Sequence, residues 1–192
     1  MDKPLYLFVG KSASGKTTIA EMLEQKYGYK QVQSYTTRPP RYEGEVGHIF
    51  VTEKEFMSLG NVVAYTFYNN NHYGTTSDQL DECDIYVVDI PGVETLLQNY
   101  KTDRPICVFY FDATVYARIM RMLERHDSDM NIIARLLQDE KLDWYHQLDS
   151  LVWRYSNILG KNVEMHSINA NGGESVVLDL VLHYMNQYMG DD

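Results

Sequence analysis

The stretch Gly10-Lys11-Ser12-Ala13-Ser14-Gly15-Lys16-Thr17 constrains this chain more than any other. It follows a continuous apolar run, Leu5-Tyr6-Leu7-Phe8-Val9, as expected of a strand buried on both faces. It precedes Thr18-Ile19-Ala20-Glu21-Met22-Leu23, where apolar residues at 19, 22 and 23 open a helical pattern. Strand, glycine loop and helix in that order read as a phosphate-binding loop. Its glycines let backbone N–H groups converge on a polyphosphate, and the helix N-terminus adds partial positive charge. The expected ligand is a nucleotide polyphosphate, held by residues 10–17 and Thr18. Lys16 is expected to reach the β- and γ-phosphates and Thr17 to offer its hydroxyl to Mg²⁺. A chance glycine-rich turn is the alternative, and both flanks weigh against it.

A length of 192 residues suggests one domain. The net charge of −10 argues against a general nucleic-acid or membrane-surface binder. Cationic residues gather in two windows, Lys30, Arg38 and Arg41, then Arg118, Arg121, Arg125 and Arg135. Local cationic pockets in an acidic protein suit small anions such as nucleotides. Arg104, Arg118 and Arg154 read as ordinary solvated arginines. Cys83 and Cys107 sit beside apolar runs as small hydrophobes and make neither a disulfide framework nor a zinc pattern. With no signal sequence and no membrane-length apolar stretch, a reducing, cytoplasmic setting is expected.

Buried strands are expected at Leu5–Val9, Ile85–Val88 and Ile106–Phe111, with a weaker one at Val163–Ile168. Helical patterns cover Lys16–Tyr27, Val93–Tyr100, Val115–His126, Asn131–Leu151 or beyond, and Val176–Tyr188. Strands alternating with helices predict an α/β fold with a parallel sheet flanked by helices. Gln31–Thr75 differs, with short apolar segments between polar turns, and reads as a small, partly antiparallel insertion. Asp127-Ser128-Asp129 is a polar break suited to a hinge.

A phosphate donor needs an acceptor. Ser34-Tyr35-Thr36-Thr37-Arg38-Pro39-Pro40-Arg41 places two guanidiniums in a segment that its prolines hold extended or turned. Arginine binds phosphate bidentately, so the pair suits a second phosphate. Two unit charges brought to about 4 Å repel by roughly 4 kcal/mol at an effective dielectric near 20, and fixed cations offset that. A proline-stiffened surface loop with stray arginines is an equal alternative on composition.

The ordered set of motifs resembles the guanylate kinase family. Ser34-x-Thr36-Thr37-Arg38-x-Pro40-Arg41, then Gly44-Glu45 and Gly47 before Phe50-Val51, is similar to the family's acceptor-phosphate segment. His72-Tyr73-Gly74-Thr75 resembles its Tyr-Tyr-Gly-Ser/Thr motif, and Val88-Asp89-Ile90 its Asp-bearing strand end. Arg121, Arg125 and Arg135 resemble its lid arginines, and Asn169 an asparagine near the adenine. The resemblance implies a P-loop core (1–33, 76–118 and 136–192), an acceptor-binding insertion (34–75) and a lid (119–135). It implies that Ser34, Arg38, Arg41 and Tyr73 bind a nucleoside monophosphate's phosphate, with Thr75 and Asp89 near its base and the catalytic centre. The reaction implied is ATP plus GMP to ADP plus GDP, with Lys16, Arg121, Arg125 and Arg135 catalytic. Asp89 ends a strand at the sheet's ligand-binding edge and could hold Mg²⁺ through water, or it could simply cap the next helix. The lid arginines could surround the transferred phosphoryl group or pair with Glu124, Asp127 and Asp129. No general base is needed, because a phosphate monoester's second pKa is near 6.

Three positions depart from the family. His48 stands nearest to an expected phosphate-binding tyrosine, Ala64 where an acid would read guanine, and Pro91 where a second aspartate would follow Asp89. Another acceptor is therefore open: a different nucleoside or deoxynucleoside monophosphate, or a phosphorylated sugar such as ribose 1,5-bisphosphate. A non-catalytic binding module is the third reading.

Overall fold

The computed structural model describes residues 3–40 and 42–189. Arg41 and the Gly190-Asp191-Asp192 tail lie outside the described residues. In chain order the elements are β1 (Leu5–Val9), α1 (Lys16–Tyr27), β2 (Ser34–Thr36), β3 (His48–Phe50), α2 (Glu53–Met57), β4 (Val62–Tyr68) and β5 (Asn71–Thr76). There follow α3 (Ser77–Glu82), β6 (Ile85–Val87), α4 (Ile90–Asn99), β7 (Ile106–Asp112), α5 (Val115–Glu124), α6 (Asp129–Asp139) and α7 (Trp144–Trp153). A π-helical stretch (Arg154–Ile158), β8 (Val163–Asn169) and α8 (Glu174–Met189) complete the described chain.

The main sheet is parallel throughout, in the order β6-β1-β7-β8. Its two-residue period sorts the core. Leu5, Leu7 and Val9 of β1 and Ile106, Val108 and Tyr110 of β7 cluster with Leu96 and Leu97 of α4 and Leu148 and Leu151 of α7. Tyr6, Phe8, Cys107, Phe109 and Phe111 face the other way, onto Ile19 and Leu23 of α1 and Val177, Val181 and Met185 of α8. Helices therefore cover both faces, which explains why β1 and β7 read as unbroken apolar runs. Each large apolar side chain buried there contributes about 1.5–3 kcal/mol. The loops carrying residues 10–15, 88–89, 113–114 and 170–173 gather at the carboxyl edge of this sheet, where α/β folds bind ligands.

The insertion forms a second sheet, β3-β2-β5-β4. β2 and β3 run parallel, while β2–β5 and β4–β5 are antiparallel, the mixed character expected for this segment. Asn69 (φ 46°) and Asn70 (φ 57°) close the β4–β5 hairpin. Asparagine tolerates the left-handed region that a tight two-residue hairpin demands. The sheet attaches to the core through α4, whose Thr95 hydroxyl accepts the Tyr65 N–H at 2.8 Å.

Two expectations are corrected. The helical pattern from Asn131 to Leu151 is not one helix. It breaks after Asp139, and Asp143 restarts it by accepting the His146 N–H at 3.3 Å. Arg118 and Arg104 are not solvated. Arg118 is completely buried, and Arg104 donates to the carbonyls of Lys3, Pro4, Leu80 and Cys83. Arg154 is exposed, as expected. Among the described residues, no helix is long and apolar enough to cross a membrane.

Candidate active site

The loop between β1 and α1 has little freedom. A Cβ at Gly10 would lie 2.7 Å from the Phe111 carbonyl oxygen and 3.0 Å from Ser14 Oγ. Ala13 (φ 60°) and Gly15 (φ 95°) both take the left-handed conformation. For Ala13 this costs about 1–2 kcal/mol, and such turns bring successive N–H groups to one concave side. Lys16 folds back along the loop and donates to Gly10 O at 2.7 Å, Lys11 O at 2.9 Å and Ser14 Oγ at 3.1 Å. Burial pushes its ammonium pKa down to about 8, against an opposing pull from Asp139. Thr17 is exposed in the first turn of α1.

Two clefts share this loop as a wall. The larger, of about 680 Å³, is lined by Ala13, Ser14, Gly15 and Thr18 on one side and by Arg121, Arg125 and the segment Asn171–Glu174 on the other. The smaller, of about 220 Å³, is lined by Gly10 and Lys16 and faced by Ser34, His48, Thr66, Tyr73 and Asp89.

Strand register assembles the smaller cleft. Ser34 and His48 are partners across β2–β3, and Ser34 Oγ lies 2.9 Å from His48 Nδ1. The Tyr73 ring meets His48 at 6.0 Å between centroids. Asp89 caps α4 by accepting the Gly92 N–H at 2.9 Å, and the same Oδ1 accepts the Thr66 hydroxyl at 2.6 Å. Burial raises the Asp89 pKa, while these two donors pull it down. The helix-capping alternative is thus realised, in a residue that also lines the cleft. Arg38 stands outside the lining. Its Nη1 and Nη2 lie 3.1 Å and 2.9 Å from the Glu45 carboxylate, and its guanidinium rests 5.3 Å from the Phe50 ring centroid. Thr75 is fully buried and lines neither cleft. The expected partner of Arg38, Arg41, lies outside the described residues.

Arg121 spans the larger cleft's rim, with Nη2 donating to Ala170 O at 2.6 Å and Nη1 to Ala13 O at 3.3 Å. Arg125 and Arg135 both turn to Asp127 Oδ2, at 3.8 Å and 3.3 Å. Asn169 is not among the lining residues of the larger cleft; its carboxamide oxygen accepts the Asn171 N–H at 3.1 Å. Asn171 lines the cleft and accepts the Thr114 N–H at 2.8 Å. Sequence reasoning missed Asn171, Thr114 and the apolar wall of Ile19, Ala117, Met120 and Val177. The Asn171-Gly172-Gly173 turn after a strand was the available signal. It also missed the polar group on the far side of the loop, where Asp139 meets Ser12 and Arg118.

A parallel sheet clad by helices on both faces, with a lysine-bearing glycine loop at its carboxyl edge, defines an α/β P-loop nucleotide-binding protein. No family model matches the chain. Curated relatives do. It is 30% identical over 156 residues to a guanylate kinase of Helicobacter pylori (strain ATCC 700392 / 26695), covering 73% of each chain. It is 29% identical over 164 residues to one of Legionella pneumophila (strain Lens), covering 77% of each. The chain belongs to the guanylate kinase family. A solved deoxyadenosine kinase from M. mycoides with bound dATP aligns over 95% of this chain and 99% of its own, with 12% identity and a TM-score of 0.45.

Proposed function

We propose that this protein transfers the γ-phosphoryl group of ATP to a nucleoside monophosphate, GMP first among them. The observation that carries this is the shared wall. The glycine loop divides a large cleft from a small one, and Lys16 lines the small cleft from the loop that bounds the large one. Donor and acceptor would therefore meet end to end across Lys16.

In this reading, ATP lies in the larger cleft with its phosphates on N–H groups of residues 13–18, since the Ser12 N–H goes to Asp139. The acceptor phosphate sits in the smaller cleft near Ser34, His48 and Tyr73, with Arg38 held in place by Glu45. Arg121 already stands against the loop. Arg125 and Arg135, held together by Asp127, are the lid cations that would swing over the transferred group. Phosphoryl transfer needs alignment and positive charge around three equatorial oxygens, and an arginine supplied there is worth about a thousandfold or more in rate. Closing over the clefts keeps water from competing with the acceptor.

A nucleotide-borne Mg²⁺ would meet two oxygen donors of this chain, an exposed hydroxyl at the start of α1 and a carboxylate in the smaller cleft. Among the described residues no three His, Cys, Asp or Glu side chains cluster as a metal cage. Mg²⁺ arriving with a nucleotide keeps its phosphate and water ligands and asks the protein for one or two oxygens. Thr17 would supply a hydroxyl and Asp89 a carboxylate through water. Held there, Mg²⁺ would supply positive charge against that building on the β- and γ-phosphates.

A coupled assay of ADP release over a panel of monophosphates tests the proposal. Turnover with GMP is expected, and silence with every acceptor would refute it. One observation favours a second reading of the acceptor. Ala64 is fully buried and paired in register with Thr75, and Asp89 is the one acid among the described residues lining the small cleft. Guanine's donor edge asks for acids, so turnover with another base at least as fast as with GMP would favour that reading.

A further inference from the structure

The last turn of α6 touches both halves of the site. Asp139 is nearly buried, and its Oδ2 accepts the Ser12 N–H at 2.9 Å. The same oxygen pairs with Arg118 Nη2. Arg118 donates through Nε to Ser12 O at 2.8 Å and through Nη1 to Glu140 Oε1 at 3.1 Å. Glu140 Oε1 also accepts from Lys11 Nζ at 2.9 Å. One buried ion pair thus holds both the N–H and the C=O of Ser12, in the middle of the glycine loop. The residue before Asp139 reaches the other way. Gln138 Oε1 accepts the Tyr68 hydroxyl at 2.6 Å, at the tip of the β4–β5 hairpin.

A bare phosphate loop gathers converging N–H groups and, here, a strained Ala13, with no phosphate to hold them. Something must keep that geometry before the ligand arrives. A buried ion pair is a poor way to gain stability, because apolar side chains of similar size serve as well or better. Its contacts with both backbone groups of Ser12 give it a different use. Lys11 and Arg118 balance Asp139 and Glu140 in charge, so the clamp fixes the loop without adding net charge beside Lys16.

We infer that Arg118 and Asp139 are positioning residues for the donor, fixing Lys11 and Ser12 in the phosphate-binding geometry. Gln138 joins the acceptor hairpin to the same unit, so that occupancy of one cleft favours the geometry required by the other. The inference rests on the donor reading of the loop given above.

Calorimetric titration with a non-hydrolysable ATP analogue reads the clamp without turnover. Asp139→Asn is expected to weaken the analogue about tenfold or more through misplacement of the loop. Arg118→Met/Asp139→Leu removes both charges, and with them the cost of an unpaired buried ion. It is expected to regain wild-type melting temperature while keeping the weakened binding. Wild-type affinity in that double variant would make the pair merely structural and overturn the inference. Glu140→Gln, at a half-exposed position, keeps the test open should the others not fold, with an expected loss of about two- to threefold. Unchanged affinity there would count against the clamp. For the link to the hairpin, GMP is expected to tighten the analogue about fivefold or more in the wild type. Tyr68→Phe should erase that gain and leave the GMP-free affinity unchanged; equal tightening in both proteins would overturn the link. Wild-type protein that binds no analogue would instead refute the donor reading itself.

Discussion

The Thr66 hydroxyl donates to Asp89 Oδ1 at 2.6 Å, joining the second sheet to the strand end that carries the carboxylate. Because β4 belongs to the insertion and Asp89 to the core, this bond joins two of the smaller cleft's lining residues across that boundary. Thr66→Val removes a donor to a charged acceptor, worth about 1.5–3 kcal/mol. It also removes one of the influences holding down a pKa that burial already raises. The acid limb of the activity profile is expected to move to higher pH in Thr66→Val, and an unmoved limb would exclude Asp89 as the group titrating there.

The same burial predicts a trade between stability and activity. The folded pKa of Asp89 lies above its unfolded one, so the folded state holds the extra proton between the two values. Stability is then lost as pH rises through the folded pKa, and ionised Asp89 costs stability at neutral pH. Asp89→Asn keeps a good helix cap and removes the charge. Thermal unfolding at pH 7 is expected to show an equal or higher melting temperature, together with a large fall in turnover.

Lys16 titrates at about 8 in the unliganded protein because its surroundings desolvate it. Phosphate oxygens favour the ammonium, so the bound pKa rises. ATP binding is therefore expected to take up a proton above pH 8 and to weaken as pH climbs further. Calorimetry at pH 8.5 in two buffers of different ionisation enthalpy measures that uptake directly. Lys16→Ala should abolish both the uptake and nearly all turnover while leaving the circular dichroism spectrum unchanged.

Arg38 and Glu45 form a preset pair, with side chains 12% and 6% exposed. On the proposed acceptor reading, such a pair would hold the guanidinium ready for an incoming phosphate. Arg38→Ala is expected to raise the acceptor KM about tenfold or more with little change for ATP, since charge-assisted pairs of this kind are worth a few kcal/mol when desolvated. Equal losses on both substrates would place the acceptor phosphate elsewhere.

Gly10→Ala drives a methyl group to 2.7 Å from the Phe111 carbonyl oxygen, backbone that cannot easily yield. The loop must shift instead. Loss of ATP binding with retained secondary structure is the expected outcome, checked by analogue titration beside circular dichroism.

What the chain made readable was local. The glycine loop and its flanking runs fall within about twenty consecutive residues, so spacing alone located them. Strands β1 and β7 were equally plain, because strands covered on both faces must be continuously apolar, whereas β8 at the sheet's edge mixes in Glu164, His166 and Ser167 and reads more weakly. The capping signatures Thr52…Glu55 and Thr76…Gln79 mark α2 and α3, short helices that the apolar pattern does not reveal. The long helix expected from Asn131 failed because the apolar period runs on through the loop. Leu142 and Trp144 keep the rhythm where the backbone turns, and Asp143 was the one local sign of a restart. Arg118 was misjudged for a different reason. Its partners lie 21 and 106 residues away, and no window of sequence shows that an arginine will meet a carbonyl and a carboxylate across the fold. Arg125 and Arg135 share the Asp127 carboxylate within ten residues, which made that pairing foreseeable.

Arg104 occupies the pole of the sheet farthest from the glycine loop, where its one guanidinium accounts for four main-chain carbonyls from three stretches of chain. That knot gathers the segment leading into β1, the end of α3 and the approach to β6 at a single point. The molecule is therefore fastened at its base by Arg104 as it is held at its ligand-binding edge by Arg118, one arginine knotting main chain at each end of the parallel strands.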